Sequence, residues 1–319
     1  MSSLICGSIA YDTIMSFEGR FQDQILADQI HILNVAFLVP SMRREFGGCA
    51  GNIAYNLKLL GGDPIIMATV GGDAGSYYDQ LAKYGISANH IREIPDAFTA
   101  QAMITTDRDN NQITAFHPGA MSESHLNTVE NIITQRKDKK LDNPKIAIVA
   151  PDGRQGMIEH CQQLAEAKIP FIFDPGQGLP MFDGEDLLQF IDQATYVAVN
   201  DYEGEMLSQR TGLTLTQISE KVEALIVTKG AQGAEIHAKN KKIHIPSVPV
   251  EKAVDPTGCG DAFRGGLLFG LEQGFDWETT GRLASLMGAL KIESQGPQNH
   301  QPSQETIKML FKKAFDYSI

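Results

Sequence analysis

The sequence predicts an α/β protein with a doubly wound, mostly parallel sheet flanked by helices and a small β-sheet lid. Short apolar segments rich in Ile and Val alternate with segments of helical spacing, which is typical of parallel strands connected by helices. Two stretches, at about 16–41 and 99–120, interrupt this alternation and are candidates for the lid. We expect one domain over residues 1–319 with the lid as an insertion.

The predicted strands are short apolar runs with little polar interruption, as expected for strands buried on both faces. They cover residues 4–10, 65–70, 146–150, 171–173, 196–199 and 225–228. The intervening and following segments repeat apolar residues at a spacing of three to four, which indicates helices. The predicted helices cover residues 50–60, 76–84, 155–167, 202–210, 262–273 and 279–292.

The second interruption has the pattern of a hairpin. Residues 100–106 and 112–117 are predicted strands, and the Asp and Asn residues of 107–111 are typical of a turn. Both interruptions leave the sheet near early strands, so we expect them to meet over the carboxyl ends of the strands, where open α/β sheets bind ligands. A lid with an exposed edge also allows two copies to pair, which leaves a homodimer open.

Composition argues against several classes of partner. The formal net charge of -12 repels polyanions, so neither nucleic acid nor an anionic membrane is expected to bind. No segment approaches the roughly 18 consecutive apolar residues of a membrane span, and the N-terminus lacks the pattern of a signal peptide. The four cysteines and eight histidines show no metal-binding spacing. These features favour a cytoplasmic protein with reduced thiols.

The most informative segment is Asp255-Pro-Thr-Gly-Cys-Gly-Asp261, a glycine-rich turn that leads directly into a predicted helix. Unpaired N–H groups and the helix dipole favour an anion such as phosphate at a helix N-terminus. Gly258 and Gly260, on either side of Cys259, let the backbone approach the anion closely. Asp261 would repel an anion, so a general base explains it better. The alternative is an Asp that caps the helix.

A second glycine-rich segment precedes the predicted helix at 50–60. Gly47 and Gly48 offer backbone N–H groups and Asn52 offers an amide, which suit sugar hydroxyls because these both donate and accept hydrogen bonds. A tight turn before a helix is the alternative.

Two further segments follow late strands. Asn200 and Glu203 provide hard oxygen ligands of the kind that Mg²⁺ prefers, although the same pair could cap a helix. Thr228, Gly230 and Gly233 lie in a predicted turn between two strands, where the glycines permit a ligand to approach the backbone.

Taken together, these segments resemble the signatures of the ribokinase-like (PfkB) family of carbohydrate and nucleoside kinases. The segment 255–261 resembles the family's C-terminal signature, and residues 46–61 resemble its other signature, so the resemblance extends over essentially the whole chain. It implies a ribokinase-like fold and ATP-dependent phosphoryl transfer to a sugar hydroxyl, with Asp261 as the catalytic base beside the anion cradle of Gly258, Cys259 and Gly260.

The resemblance also implies roles for individual residues. Gly48 and Asn52, beside Gly47, would contact the sugar of the acceptor, and Asp12, at the end of the first strand, would bind two of its hydroxyls. Asn200 and Glu203 would order magnesium through water. The residues expected to bind ATP are Asn200, Thr228, Gly230, Gly233, Gly258 and Gly260. Asp255 and Thr257 would help hold a monovalent cation such as potassium, if this chain uses one.

Within the family, residues 100–106, 115–121 and 173–180 resemble bacterial and archaeal nucleoside kinases, often called adenosine kinases. Gln101 and Met103 should share one face of a lid strand and, with Phe116, contact a base. The predicted function is transfer of the γ-phosphate of ATP to the 5′-hydroxyl of a nucleoside. A free-sugar kinase acting on ribose or fructose is the alternative, and a silent ligand sensor is disfavoured because Asp261 is present. Arg264 would contact phosphate or pair with a nearby acid.

Overall fold

The computed structural model describes residues 2–25, 31–32, 34–109, 111–239 and 241–319. The strands are β1 (Ser3–Cys6), β2 (Ala10–Ser16), β3 (Ser41–Gly47), β4 (Pro64–Gly71), β5 (Ile91–Ile94), β6 (Ala100–Thr106), β7 (Gln112–His117), β8 (Ile146–Val149), β9 (Phe171–Phe173), β10 (Tyr196–Asn200), β11 (Ala224–Thr228), β12 (Ala234–Ala238) and β13 (Lys241–Ile245). The α-helices are α1 (Phe21–Gln24), α2 (Cys49–Leu59), α3 (Gly75–Lys83), α4 (Val129–Asp138), α5 (Arg154–Glu166), α6 (Gly184–Gln193), α7 (Asp201–Thr211), α8 (Leu215–Lys221), α9 (Cys259–Gln273), α10 (Trp277–Ile292) and α11 (Gln304–Phe315).

Nine strands form one sheet in the order β13-β12-β11-β10-β9-β8-β1-β4-β5. Its strands pair in parallel, except that β12 pairs antiparallel with both of its neighbours, β11 and β13. The chain runs from β1 to β4 on one side and later returns to place β8 on the other side of β1. Neighbouring connections therefore leave in opposite directions next to β1, which opens a crevice at the carboxyl ends of these strands.

Successive side chains of each strand point to opposite faces of this sheet, and helices bury both faces. Ile5, Ile148 and Ile226 point to one face, where they pack with residues of α2, α9 and α10. Leu4 and Val149 point to the other face and pack with residues of α4, α5, α6 and α7. Five of the six predicted strands are confirmed, and so is the predicted doubly wound, mostly parallel sheet; the predicted strand 4–10 runs across the break between β1 and β2, which belong to different sheets.

The small sheet has four strands in the order β3-β2-β6-β7. The hairpin predicted at 100–117 is confirmed as β6 and β7. The other two strands lie on either side of the predicted interval 16–41, at Ala10–Ser16 and Ser41–Gly47. Ala10 and Tyr11 are buried like β1, so the apolar pattern hides the break between β1 and β2. Asp12 therefore belongs to a lid strand and not to the first strand of the large sheet.

Parts of the predicted lid lie outside the described residues, namely 26–30 and 33 in the first interval and 110 in the turn. Asp107 organises the described part of that turn, because its carboxylate accepts hydrogen bonds from the backbone N–H groups of Asp109 and Asn111. Pairing of two copies through the lid stays a prediction. Within the described ranges, no helix has both the length and the apolar character needed to cross a membrane.

Candidate active site

A cavity of about 680 Å³ lies between the carboxyl ends of the large sheet and the lid. Its floor is formed where successive strands end, by Ser8, Asp152, Asp174, Asn200 and Thr228. Its roof is formed by the small sheet, with Ala10, Asp12, Ala102, Ile104 and Phe116. The cavity thus occupies the crevice that the strand order creates, and each wall comes from a different part of the chain.

Helix α9 enters this cavity with its N-terminus. Its N-cap is Gly258, with φ of 80° and ψ of 4°, and no side chain caps the helix. This left-handed backbone favours glycine, and a Cβ at 258 would lie 2.9 Å from the Cβ of Pro297. A Cβ at Gly260 would meet no atom within 4 Å, so the first turn faces open space. The arrangement leaves helix N–H groups directed at the cavity, as an anion site requires.

Asp261 is in the first turn of α9 and does not cap it, so the capping alternative is wrong. Its Oδ2 accepts a hydrogen bond of 2.8 Å from Nδ2 of Asn52. Oδ1 of Asn52 accepts in turn from Nε2 of Gln298 at 3.0 Å, and the same nitrogen donates to the hydroxyl of Tyr77 at 2.9 Å. Asn52, Gln298 and Tyr77 are buried. This chain of hydrogen bonds fixes the orientation of the Asp261 carboxylate.

The environment of Asp261 makes it a stronger base than an exposed carboxylate. The pKa of Asp261 is raised from 3.8 to about 7, chiefly by burial and also by the charge of Asp174, while the hydrogen bond from Asn52 and the charge of Arg264 oppose the shift. A group with a pKa near 7 can accept a proton at neutral pH and release it afterwards.

Asp12 faces the cavity from β2 and is the second carboxylate on this side. Burial, and then the charges of Glu45 and Asp255, raise its pKa to about 6. Gly47 makes room for it, because a Cβ at 47 would lie 2.6 Å from Oδ2 of Asp12. Gly48 has φ of 84°, and a Cβ there would lie 2.5 Å from the backbone nitrogen of Ala10. The two glycines thus let β2 and the start of α2 meet at the cavity wall.

A buried ion pair forms part of the cavity floor. The guanidinium of Arg264 donates to both carboxylate oxygens of Asp174, at 2.9 and 3.1 Å, and both side chains are buried. The sequence left open whether Arg264 binds phosphate or pairs with an acid, and the acid pairing is the arrangement found. Since Arg264 lies on α9 and Asp174 follows β9, the pair ties the helix to the sheet.

A second cavity, of about 460 Å³, adjoins the first and shares Thr228, Gly230 and Gly260 with it. Its other lining residues are mostly apolar and include Ala231, Gly233, Val248, Val250, Ala253, Phe263 and Ile292. Cys259 also lies in this wall, and burial raises the pKa of its thiol to about 11, so the thiol stays protonated. The N-terminus of α9 therefore lies between two cavities.

Residues 14–304 match the family model described as pfkB family carbohydrate kinase. The chain belongs to this family. A nucleoside kinase of Methanocaldococcus jannaschii is 32% identical over 276 residues, which cover 86% of this chain and 88% of that protein. The family inferred from the two glycine-rich signatures is confirmed, and this chain is a kinase that transfers phosphate to an alcohol group.

Solved structures give the same result for the fold. The nucleoside kinase of Burkholderia thailandensis in complex with inosine is similar with a TM-score of 0.86 and 56% identity, over 99% of both chains. Its complex with ADP-inosine is similar with a TM-score of 0.84 and 57% identity, over 99% of this chain and 97% of that one. The ribokinase-like fold of this PfkB kinase is therefore established.

Two predicted acceptor residues lie on the wrong face of the lid. In the register of the small sheet, Asp12 is opposite Ala102, whereas Gln101 and Met103 are opposite Tyr11 and Thr13. The amide of Gln101 donates to the hydroxyl of Thr13 at 2.7 Å, outside the cavity wall. The prediction that Gln101 and Met103 share a face is right, but the face that lines the cavity is the other one.

The side chains of the lid that line the cavity are mostly apolar. Ala102 and Ile104 line the cavity in place of Gln101 and Met103, and Phe116 lines it as predicted. Met121, from the segment after β7, is also part of the wall. The roof that this PfkB kinase offers an acceptor is therefore more apolar than the sequence indicated.

Asn200 and Glu203 form a reciprocal cap at the start of α7. Oδ1 of Asn200 accepts from the backbone N–H of Glu203 at 2.7 Å, and Oε2 of Glu203 accepts from that of Asn200 at 2.8 Å. Both residues also line the main cavity, and burial together with Asp174 raises the pKa of Glu203. In the described ranges no cluster of three or more His, Cys, Asp or Glu side chains could hold a metal directly. Asn200 and Glu203 present oxygen atoms, the ligand type that magnesium prefers, and their role in holding magnesium through water stays a prediction.

The residues that hold Asn52 against Asp261 were not predicted from the sequence. Gln298 and Tyr77 orient Asn52, but both lie far from it in the sequence and outside the recognised signatures. Asp174 was visible as a polar residue directly after the predicted strand 171–173, at the sheet edge where other site residues were sought. The position of a polar residue after a strand was therefore the one usable signal.

Proposed function

We propose that this PfkB kinase transfers the γ-phosphoryl group of ATP to the 5′-hydroxyl of a nucleoside, with Asp261 as the general base. The observation that carries the proposal is the position of Asp261. It lies where the acceptor cavity under the lid meets the N-terminus of α9 and the adjoining apolar cavity. An acceptor on one side and a triphosphate on the other would bring their reacting atoms together beside this carboxylate.

The acceptor side suits a ribose that carries a base. Asp12 has two oxygens that can accept hydrogen bonds from two vicinal sugar hydroxyls. Beyond it the wall is apolar, with Ala102, Ile104 and Phe116, as expected for the faces of an aromatic base. The Burkholderia thailandensis nucleoside kinase, which is 56% identical, has been solved with inosine, and this supports a nucleoside as the acceptor here.

The chemical step follows from the position of the groups. Asp261 takes the proton of the 5′-hydroxyl as the oxygen forms a bond to the γ-phosphorus, and the bond between that phosphorus and the oxygen bridging it to the β-phosphate breaks. ADP leaves with the bridging oxygen, and the proton stays on Asp261 until product release. The N–H groups of Gly260 and Asp261, in the first turn of α9, stabilise the charge on the transferring group, whereas the N–H of Cys259 donates to the carbonyl oxygen of Pro256 at 3.1 Å.

The donor side is proposed to bind the rest of ATP. Thr228 and Gly230 lie where the two cavities join, and Gly233 lies in the apolar one, which suits an adenine. Asn200 and Glu203 would hold magnesium through water. The ion would neutralise charge on the phosphate oxygens.

The acceptor can be tested by measuring ATP-dependent ADP release with inosine, adenosine, guanosine, cytidine, ribose and fructose. We expect kcat/KM for nucleosides to exceed that for ribose by at least about tenfold, since burying a base against apolar side chains contributes more than about 1.4 kcal/mol. Phe116→Ala should reduce this preference and leave ribose turnover nearly unchanged. Turnover of free sugars alone would instead establish a sugar kinase.

A further inference from the structure

Lys291 is a fully buried lysine near the end of α10, with 0% of its surface exposed. Its Nζ donates hydrogen bonds to the backbone carbonyl oxygens of Asp255, at 2.6 Å, and of Ser294, at 3.1 Å. A buried ammonium is expensive unless it is compensated, so a lysine in this position requires a reason. The compensation here comes from carbonyl oxygens and nearby carboxylates.

The contact lies at the base of the anion cradle. Asp255 is three residues before Gly258, the N-cap of α9. Its carboxylate accepts from the backbone N–H groups of Thr257 and Gly296, each at 2.9 Å, and its own N–H donates to the carbonyl of Ile292 at 3.1 Å. The segment 255–258 is thus fastened to the end of α10 through both the side chain and the backbone of Asp255.

The contacts of Lys291 determine whether the monovalent cation implied by the family resemblance could bind at Asp255 and Thr257. A potassium ion held by Asp255 and Thr257 would use carbonyl and carboxylate oxygens of this segment. The ammonium of Lys291 already binds the Asp255 carbonyl, and a second positive charge beside it would be strongly repelled at this buried position. The residues present therefore do not fit a bound potassium ion.

We propose that Lys291 is a positioning residue that replaces a bound monovalent cation, so that this kinase holds its anion cradle in place without potassium. The ammonium neutralises the carbonyl dipoles at the base of the segment 255–258 and fixes the start of α9. It does not touch the substrate. The proposal rests on the proposed function only where it concerns phosphoryl transfer, because the structural role can be measured without any substrate.

Electrostatics supports this role. Burial lowers the pKa of Lys291, and the negative charge of Asp255 is the largest influence in the opposite direction. Glu45 adds to it. An ammonium already attached to α10 loses no translational freedom when it occupies such a site, whereas a free ion must be recruited from solution.

The test measures melting temperature and turnover while KCl replaces tetramethylammonium chloride at constant ionic strength. In the wild-type protein we expect both to be independent of potassium. Lys291→Ala removes the ammonium and leaves a space lined by carbonyl oxygens. We expect this variant to melt at a lower temperature and to lose about 10- to 100-fold in kcat, because the cradle is misplaced. Potassium or n-propylammonium should partly restore both.

Two variants separate the charge from the volume. Met287→Ala truncates a fully buried side chain one turn earlier on α10, so it should lower the melting temperature with no recovery in potassium. Lys291→Met keeps most of the volume without the charge and leaves no space for an ion. It should lose activity without recovery, and it serves in place of Lys291→Ala if that variant does not fold.

Saturable activation or stabilisation of the wild-type protein by potassium would overturn the proposal. Full activity of Lys291→Met would overturn it as well, as would a folded Lys291→Ala that does not respond to either cation. If the protein turned out not to phosphorylate nucleosides, the melting-temperature measurements would still decide the role of Lys291.

Discussion

The proposed acceptor half of the site presents mainly side-chain groups, whereas the proposed donor half presents mainly backbone groups. The acceptor half presents side chains, with Asp12 and Asp261 as carboxylates whose pKa values are raised by burial. The donor half presents mainly backbone, at Gly258, Gly260 and Gly230. The halves should therefore respond to different perturbations, because removing a side-chain atom changes the first half and adding one changes the second.

Asp261→Asn is expected to have the largest effect. It keeps the shape of the side chain but removes the proton acceptor, so kcat should fall by about 10²- to 10⁴-fold. Because the donor half is untouched, the affinity for ATP should stay within a few-fold of wild type, as measured by calorimetry. A variant that keeps more than about a tenth of the activity would show that Asp261 is not the base.

A pair of glycine substitutions tests the donor half. Gly258→Ala must adopt a left-handed backbone, which costs roughly 1–2 kcal/mol for a residue with a side chain, and its Cβ would contact Pro297. We expect a lower melting temperature and a raised KM for ATP. Gly260→Ala has open space for its Cβ and should fold normally, but the methyl group would project where phosphate binds. Equal melting temperatures for the two variants would contradict this account.

The dependence on pH should separate the halves again, with a smaller effect. Asp261 must be ionised to accept a proton, so kcat/KM for the acceptor should fall about tenfold per pH unit below its pKa of about 7. Asp12, with a pKa of about 6, should steepen the fall below that value. ATP binding alone should change much less, which equilibrium titrations at pH 5.5 and 8 would measure.

The same pKa shift has a consequence for stability. The pKa of Asp261 in the folded protein lies above its ordinary value of 3.8, so the folded state binds the proton more tightly. The stabilisation by the protonated form is present below pH 4 and is lost as the pH rises through 7. Asp261→Asn should consequently gain in melting temperature over wild type between pH 5 and pH 8, and an unchanged difference would argue against a buried base.

Most strands of the large sheet could be predicted from the sequence, because strands buried on both faces are continuous apolar runs such as 146–150 and 225–228. The glycine-rich turn before α9 was also predictable, because a left-handed N-cap such as Gly258 favours glycine and glycine is recognisable in the sequence. The prediction of which side chains of β6 face the cavity was wrong. Gln101 and Met103 belong to an alternating segment, and the local sequence does not indicate which alternate set faces inward. Only the pairing of Asp12 with Ala102 decides that.

Other features depend on contacts between distant segments. Gln298 carries no motif, and its role appears only when it meets Asn52 across 246 positions of sequence. Lys291 resembles an ordinary lysine at a helix end, and its burial follows from the way the segment 255–258 packs against α10. The sequence therefore predicts groups whose function depends on local backbone better than groups that act through tertiary contacts.

Helix α9 touches both of its neighbours through bare backbone. A Cβ at Gly265 would lie 2.7 Å from the Cβ of Asn56 on α2, and a Cβ at Gly266 would lie 2.6 Å from the Cα of Ala284 on α10. Contacts this close oppose sliding or rotation of the helix, so Asp261 and the turn at 258–260 are anchored to the core and not to the lid. An engineer can therefore vary the lid to change which acceptor is accepted while the machinery of transfer stays fixed.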